Sequence, residues 1–272
     1  MGTSPVGPFE TEGTMANPAL SNNPAFRNNA PVSAATLEEL YERPSATPAE
    51  TNRMTYEDTS VKTVVLFAVL LATSAVGWFV PGLAIVGALI GFVLAMVNTF
   101  KRQPSVPLII GYAAFEGLFI GGITAIFERA YPGVAVQAVL ATLVTVGVTL
   151  ALFASGKIRA SARATKIFLI AMVGYLVFRL IEAGIMLFSG GTSPFGLSSD
   201  VKIAGIPLGV IVGLLAVVLA AYSLVLDFDQ IQQGVQRGLP AKYGWTGAFG
   251  LMVTIVWLYV EFLRIFALLS RR

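Results

Sequence analysis

The amino-acid sequence predicts an all-α polytopic membrane protein whose seven transmembrane helices form one bundle. Of its 272 residues, 56% are hydrophobic and only 12% are charged, whereas soluble domains carry about 25% charged residues. Seven apolar segments follow one another along the chain, each close to the ~20 residues with which a helix crosses a bilayer. The connections between them are short, which favours a single compact helical domain.

The first 54 residues form a separate region, which the sequence predicts to be a disordered cytoplasmic tail. Seven of the 14 prolines lie here, among many Asn, Ser, Thr and Ala residues. Such a segment cannot bury enough apolar surface to offset the entropy of ordering the chain. No cationic stretch followed by a short apolar core begins the chain, so we expect no cleaved signal peptide. The transmembrane domain is expected to occupy residues 55–272.

The seven predicted spans can be placed directly on the apolar segments. Pro81 and Gly82 alone separate the first two, and this proline ends the first helix. The spans cover residues 63–80, 83–100, 106–127, 134–154, 167–188, 203–226 and 245–269.

The distribution of Lys and Arg predicts how the bundle is oriented, because cytoplasmic loops carry an excess of both residues. Ten lie on the side of the N-terminal tail and four on the other side. We therefore expect a plasma-membrane protein with its N-terminus in the cytoplasm and its C-terminus outside. These basic residues flank spans, so they indicate orientation rather than a nucleic-acid partner. The ten are Arg53, Lys62, Lys101, Arg102, Lys157, Arg159, Arg163, Lys166, Arg237 and Lys242.

The chain contains no histidine and no cysteine. Ser-His-Asp and Cys-His catalysis, the HExxH metalloprotease motif and disulfides are therefore excluded. We expect a protein that is not an enzyme and that needs no cofactor. Proton-linked behaviour would have to come from carboxylates, because histidine, the usual switch near neutral pH, is missing.

A few ionisable residues lie within the spans, where their cost makes each a candidate functional residue. Arg179 with Glu182, and Glu261 with Arg264, are spaced i,i+3, so each pair could neutralise itself on its own helix. Alternatively, Glu116 in the third span could join Arg179 and Glu261 in one cluster. At 1.5 Å per residue these three lie about 15, 18 and 24 Å along their predicted spans, which are overlapping depths.

Two further features of the spans are open to more than one interpretation. Gly117, Gly121 and Gly122 surround Glu116 and favour close helix packing. Asp229 fits a solvated helix end, whereas Asp227 lies nearer the apolar run. Because an acid near a helix C-terminus opposes the helix dipole, Asp227 is better explained by a functional role.

At these motifs the chain resembles the Bax inhibitor (TMBIM) family of small membrane proteins, in its bacterial type. The resemblance rests on "VLDFDQI" at the end of the sixth span, "WLYVEFLRIFALL" in the seventh and "GYAAFEGLFIGGIT" in the third. It covers residues 55–270 and implies a bundle with the seventh helix near its centre. It also implies a calcium leak gated by a pH-sensing carboxylate pair, here Asp227 and Glu261, with Arg102 or Lys101 as a latch.

The resemblance is accompanied by two departures. The seventh-span acid is Glu261 where the family has Asp, and 34 positions separate it from Asp227 (261 against 227). If the seventh helix starts at residue 245, Glu261 lies about 24 Å along it, whereas Asp227 should lie near the cytoplasmic side. The two carboxylates meet only if the sixth helix projects past the membrane or the seventh begins well inside the cytosol.

The leading functional prediction is a pH-sensitive cation leak, with calcium as the expected ion and the bilayer as surroundings. Two carboxylates in contact would share a proton, and its loss would drive the two helices apart. One rival is a proton-coupled secondary transporter that uses Glu116, Arg179 and Glu261. A second rival is a regulator of membrane proteolysis or stress response, which acts on membrane-protein partners through its tail and loops.

Overall fold

The computed structural model describes residues 52–101, 103–188 and 197–270. It contains seven helices that are long and apolar enough to cross a membrane. They are α1 (Tyr56–Phe79), α2 (Leu83–Phe100), α3 (Val106–Ala130), α4 (Val134–Ala154), α5 (Ala162–Phe188), α6 (Leu208–Gln236) and α7 (Gly244–Leu269). The predicted all-α class and the seven spans of the membrane bundle are confirmed.

A small hairpin precedes α6, where the sequence predicted the beginning of the sixth span. Strands β1 (Lys202–Ile203) and β2 (Ile206–Pro207) pair antiparallel, and a helical turn at Leu197–Asp200 precedes them. Ala204 and Gly205 make the hairpin turn with positive φ values of 50° and 80°, as a two-residue hairpin turn requires. The sixth span therefore begins at Leu208 rather than at residue 203.

Two helices extend beyond their apolar segments. Helix α1 begins at Tyr56 because Thr55 caps it, its hydroxyl accepting the Asp58 N–H at 3.0 Å. Helix α6 continues to Gln236, ten residues past the predicted end at 226, because its polar residues remain helical after the apolar run has stopped. Hydropathy marks only the apolar part of a helix, so the predicted spans stop short of these ends, although Gln230, Gln232 and Gln233 already indicated that the sixth helix continues.

Residues 52–54, which the sequence assigned to the end of the tail, contact the α6–α7 connection. Met54 is buried, and its N–H donates to the carbonyl of Leu239 at 2.7 Å. The carbonyl of Asn52 accepts the N–H of Ala241 at 2.9 Å. These contacts join the N-terminal segment to the α6–α7 connection. The rest of the tail lies outside the described residues, so its predicted disorder stays a prediction.

Helix α7 occupies the centre of the bundle, as the resemblance implied. It packs against α1, α3, α4 and α6 and is the most buried of the seven spans, whereas α5 is the least buried. Met252, Leu258 and Leu263 of α7 are fully buried. A helix that is apolar on most of its faces is stable at such a central position.

The glycines of α3 serve helix packing. A Cβ atom at Gly117 or Gly121 would overlap the α1 backbone at Leu70 or Ser74, and one at Gly122 would stand 2.9 Å from the carbonyl oxygen of Pro81. Glycine is therefore required for α1 and α3 to approach each other so closely.

Candidate functional site

Asp227 lies on α6, nine residues before the helix ends at Gln236, and faces α7. Its Oδ2 accepts a hydrogen bond from the hydroxyl of Thr254 at 2.6 Å. That hydroxyl lies 3.3 Å from the hydroxyl of Ser223, one turn before Asp227 on α6. The Oδ1 atom lies 3.2 Å from the place that a Cβ on Gly250 would take. The absence of a side chain at Gly250 therefore lets the carboxylate approach α7.

A cavity of about 140 Å³ opens beside this carboxylate. We call it the Asp227 cavity. Among the residues that the structure describes, no Lys or Arg forms an ion pair with Asp227. The carboxylate therefore borders a space that is large enough for water molecules. The cavity is lined by Met54, Asp227, Gln230, Ile231, Gly234, Leu239, Tyr243, Thr246, Gly247 and Gly250.

Glu261 lies in a different environment, deep between α5, α6 and α7. Its side chain is buried, with 2% of the residue exposed. Its Oε2 accepts from Arg179 Nη2 at 2.7 Å, and its Oε1 accepts from the hydroxyl of Tyr175. Both partners belong to α5, so this carboxylate ties α5 to the central helix.

Glu182 completes a network that joins α5, α7 and the turn before β1. Arg179 Nη1 donates to its Oε2 at 2.9 Å, and Arg264 Nη2 donates to the same oxygen at 3.3 Å. The backbone N–H of Ser198 donates to Oε1 at 3.1 Å, and the Ser198 hydroxyl donates to it as well. We call Arg179, Glu182, Glu261 and Arg264 the charge network. Two cations balance two anions, which is how buried charges become tolerable.

The predicted i,i+3 pairing holds for one of the two pairs. Arg179 pairs with Glu182 on its own helix but also reaches Glu261 on α7. Arg264 pairs with Glu182 of α5 and not with Glu261 of its own helix. Two of the three ion pairs therefore join α5 to α7. The third neutralises charges within α5.

Sequence reasoning missed the aromatic centre of this region. The Tyr175 hydroxyl accepts from Arg179 Nε at 2.9 Å and from Trp257 Nε1 at 3.4 Å, while it donates to Glu261. The signal was present, since Tyr175, Arg179 and Glu182 follow at i, i+4 and i+7 on one face of a helix. On α7, Thr254, Trp257 and Glu261 follow at i, i+3 and i+7, which also places them on one face.

The predicted hydrogen-bonded pair of Asp227 and Glu261 is not formed in this structure. Asp227 meets α7 at Thr254, and Glu261 lies seven residues further along (261 against 254), a rise of about 10 Å. Helix α6 does project past its apolar run, but α7 begins only at Gly244. Glu261 therefore lies about 25 Å along α7, too deep for Asp227 to reach.

Glu116 does not join Arg179, which corrects the predicted three-helix cluster. It lies on α3 beside the hydroxyl of Tyr112, and its Oε2 stands 3.1 Å from the place of a Cβ on Gly91 of α2. It is about 15 Å along α3, whereas Arg179 is about 25 Å along α5, which begins on the same side. No described Lys or Arg pairs with Glu116.

Two other predicted positions bear on the gate. Arg102, the proposed latch, lies outside the described residues, and the alternative, Lys101, is an exposed residue at the end of α2. The latch therefore stays a prediction. Asp229 accepts from Gln233 Nε2 at 2.6 Å on its own helix and does not line the Asp227 cavity. It lies seven residues before the end of α6 rather than at the end.

Ligand chemistry at the Asp227 cavity would be that of a weak site. Within residues 52–101, 103–188 and 197–270, no three carboxylates converge to hold a metal ion. The side-chain oxygens that line the cavity belong to one carboxylate, Asp227, and to Gln230, Tyr243 and Thr246. Tight calcium sites take six to eight oxygen ligands, several of them carboxylates, so this lining does not form such a site.

Comparison with known proteins agrees with the seven-helix bundle and its motifs. No curated protein matches the chain. The family model described as Bax inhibitor 1 like matches residues 17–271, which is nearly the whole length and includes the Asp227 cavity and the charge network. The chain therefore belongs to the Bax inhibitor 1 like family of membrane proteins.

Proposed function

We propose that this protein is a pH-sensitive leak pathway for cations, with calcium as the expected ion, and that it carries out no covalent chemistry. The single observation that supports this most is Asp227, a carboxylate within a membrane-spanning helix that faces an open cavity without a basic partner among the described residues. A charged group at such a position lowers the stability of the folded protein, so its presence is best explained by a function.

The path that we propose follows the seam between α6 and α7. It enters at the Asp227 cavity and continues along the hydroxyls of Thr254 and Ser223. Beyond them it reaches Tyr175 and Trp257, whose rings lie 5.7 Å apart, and then the charge network. Oxygen atoms occur along the first half of this seam, as a hard cation requires.

The charge network would close the path in this conformation. It holds two guanidinium groups against Glu182 and Glu261, so a cation arriving from the cavity meets positive charge. Helix α5 has few buried residues, and these ion pairs supply much of its attachment to α7. Opening would require α5 and α7 to separate at this contact, a change that a bistable element allows.

Protonation of Asp227 is expected to lower the flux. This carboxylate accepts from Thr254 and has no Lys or Arg partner among the described residues. A proton on it removes the charge that attracts a cation, so the flux should fall as the pH is lowered. Glu261 acts in a different way: its ion pair with Arg179 holds α5 to α7, so removing that charge by substitution should weaken the contact that closes the path.

The orientation of the bundle forms part of the proposal. The Asp227 cavity opens at the end of the bundle where α1 begins, the side that carries ten of the Lys and Arg residues. By the positive-inside rule this is the cytosolic side of the plasma membrane.

Calcium flux into indicator-loaded proteoliposomes at several pH values tests the proposal. We expect Asp227→Asn to lower the flux severalfold and to flatten the acidic limb of the pH profile. Asp229→Asn is the matched control, because it makes the same chemical change two residues away without touching the cavity, and its profile should equal that of the wild type. Glu261→Gln should raise the flux at neutral pH.

Two outcomes would contradict the proposal. If Asp227→Asn and Asp229→Asn give the same pH profile, Asp227 is not the cation contact. If flux requires an added solute that exchanges across the membrane, the protein is a coupled transporter and not a leak.

A further inference from the structure

An apolar groove, distinct from the Asp227 cavity, opens between α1 and α4 at the end of the bundle where α1 begins. Its volume of about 430 Å³ lies within the range of about 300–1,000 Å³ that is typical of ligand sites. The groove exists because α1 and α4 both pack on α7 but scarcely touch each other. Its walls include Tyr56, Ser60, Val64, Leu150 and Phe153, with Ile231 at the back.

Two hydroxyl groups of this groove are already satisfied within α1. The hydroxyl of Ser60 donates to the carbonyl of Tyr56 at 2.8 Å, and that of Thr63 donates to the carbonyl of Thr59 at 2.9 Å. The groove therefore offers mainly apolar surface to an occupant. Val64 and Leu150 are exposed residues within the apolar segments of α1 and α4, so lipid chains can reach this part of the groove.

Arg159 lies at the rim of the groove. Its guanidinium stands 4.7 Å from the centre of the Phe153 ring, and Phe153 is itself a groove wall whose other neighbour is the ring of Phe228, 5.7 Å away. Arg159 Nη1 donates to Gln232 Oε1 at 2.9 Å. Ring and amide together fix the guanidinium in place, and this bond uses one of its five N–H donors.

The segment that carries Arg159 is strongly basic. Residues 155–166 contain Lys157, Arg159, Arg163 and Lys166 and no acidic residue. Basic clusters beside transmembrane helices attract anionic lipid head groups, and a guanidinium suits phosphate geometry better than an ammonium group does. The charge at the rim and the apolar walls below it thus complement the two parts of one molecule.

We propose that this groove binds one anionic phospholipid from the leaflet on the side where α1 begins. One acyl chain would lie between α1 and α4, and the phosphate would lie at Arg159. A zwitterionic phospholipid would fill the groove with the same chain but would gain less from the basic rim. The proposal concerns binding alone, so it stands or falls independently of the cation leak.

Native mass spectrometry of the full-length protein in detergent, titrated with phosphatidylglycerol or phosphatidylcholine, tests this site. We expect the wild type to retain one phosphatidylglycerol at concentrations at which phosphatidylcholine is lost. Arg159→Gln should weaken the retained phosphatidylglycerol about tenfold. Arg163→Gln is the matched control: it removes the same charge from the same basic segment, whereas only Arg159 is held against Phe153 and Gln232, so it should leave the tight binding unchanged.

A second pair of variants tests the apolar part and the sign of the charge. Ser60→Leu should fill the groove and reduce retention of the lipid, whereas Ser60→Ala should not. Glu57 lies on the same face of α1 as Ser60 and Val64, so Glu57→Gln should strengthen phosphatidylglycerol binding. Equal losses in Arg159→Gln and Arg163→Gln, or equal retention of the two lipids by the wild type, would overturn the proposal.

Discussion

Asp227 and Glu261 are two carboxylates on neighbouring helices of the same bundle, yet they lie in opposite environments. Glu261 is buried and accepts hydrogen bonds from Arg179 and Tyr175. Asp227 has a single hydroxyl partner in Thr254 and borders an open cavity. A rise of about 10 Å along α7 separates the two positions.

The difference shows two ways in which a membrane protein can carry a carboxylate. The charge of Glu261 is neutralised by Arg179, and this ion pair holds α5 and α7 together. Removal of Glu261 would leave the Arg179 guanidinium without this partner. Asp227 borders an open cavity and has no Lys or Arg partner among the described residues. The function proposed above uses this charge as a contact for a mobile ion, whereas Glu261 attaches one helix to another.

The largest effect is expected from Arg179→Met, which leaves Glu261 buried without its guanidinium. Breaking a buried ion pair on one side costs about 3–5 kcal/mol, and we expect a loss of this size in the free energy of unfolding. Unfolding in a detergent mixture with increasing SDS measures it.

The control for this change is the double variant Arg179→Met/Glu261→Met, which removes both charges and should recover most of the lost stability. Arg163→Met, at an exposed position on the same helix, should have almost no effect. If the double variant is no more stable than Arg179→Met alone, the ion pair is not what holds α5 to α7.

A smaller effect is expected from amide substitutions, which compare the two regions directly. Glu261→Gln keeps the shape of the side chain but removes the charge that Arg179 faces, and it should cost about 1–3 kcal/mol. Asp227→Asn removes a charge that has no basic partner among the described residues, so the free energy of unfolding should not fall. If both variants lose the same free energy of unfolding, Asp227 and Glu261 do not differ in how much they stabilise the fold.

The smallest loss of stability is expected from Thr254→Val, which removes the hydroxyl that donates to Asp227. Water in the adjoining cavity can replace that donor, so the cost should stay below about 1 kcal/mol. Thr254→Ser retains the hydroxyl and is the matched control, expected to behave like the wild type. A loss of 2 kcal/mol or more in Thr254→Val would mean that Asp227 depends on this bond as Glu261 depends on Arg179.

The fold was predictable because each span is decided locally. An apolar segment of about 20 residues has no stable alternative in a bilayer, since every backbone N–H and C=O must be satisfied within the helix. The ends were less predictable: α6 continues through Asp229 and Gln233 to Gln236, beyond the point at which hydropathy falls. Hydropathy reports apolar composition and not helical length.

The sequence predicted which residues form the candidate site, but it did not predict which of them form ion pairs with one another. Arg179, Glu182, Glu261 and Arg264 were selected because charges in spans are costly, and the structure brings these four together. Glu116 was selected by the same argument but faces Gly91 of α2 instead. Depth along a helix can be counted from sequence, whereas the direction in which a side chain faces depends on how the helices are rotated and packed.

The sequence by itself determined that this chain crosses a membrane seven times, that no histidine or cysteine chemistry is available to it, and which charges need an explanation. These properties follow from composition and from spacing along one helix. Only the tertiary structure decided that Asp227 meets Thr254 while Glu261 meets Arg179. The reason is geometric. Helix α7 begins at Gly244, and its position along the bundle decides which of its residues lie at the same depth as Asp227 and as Arg179.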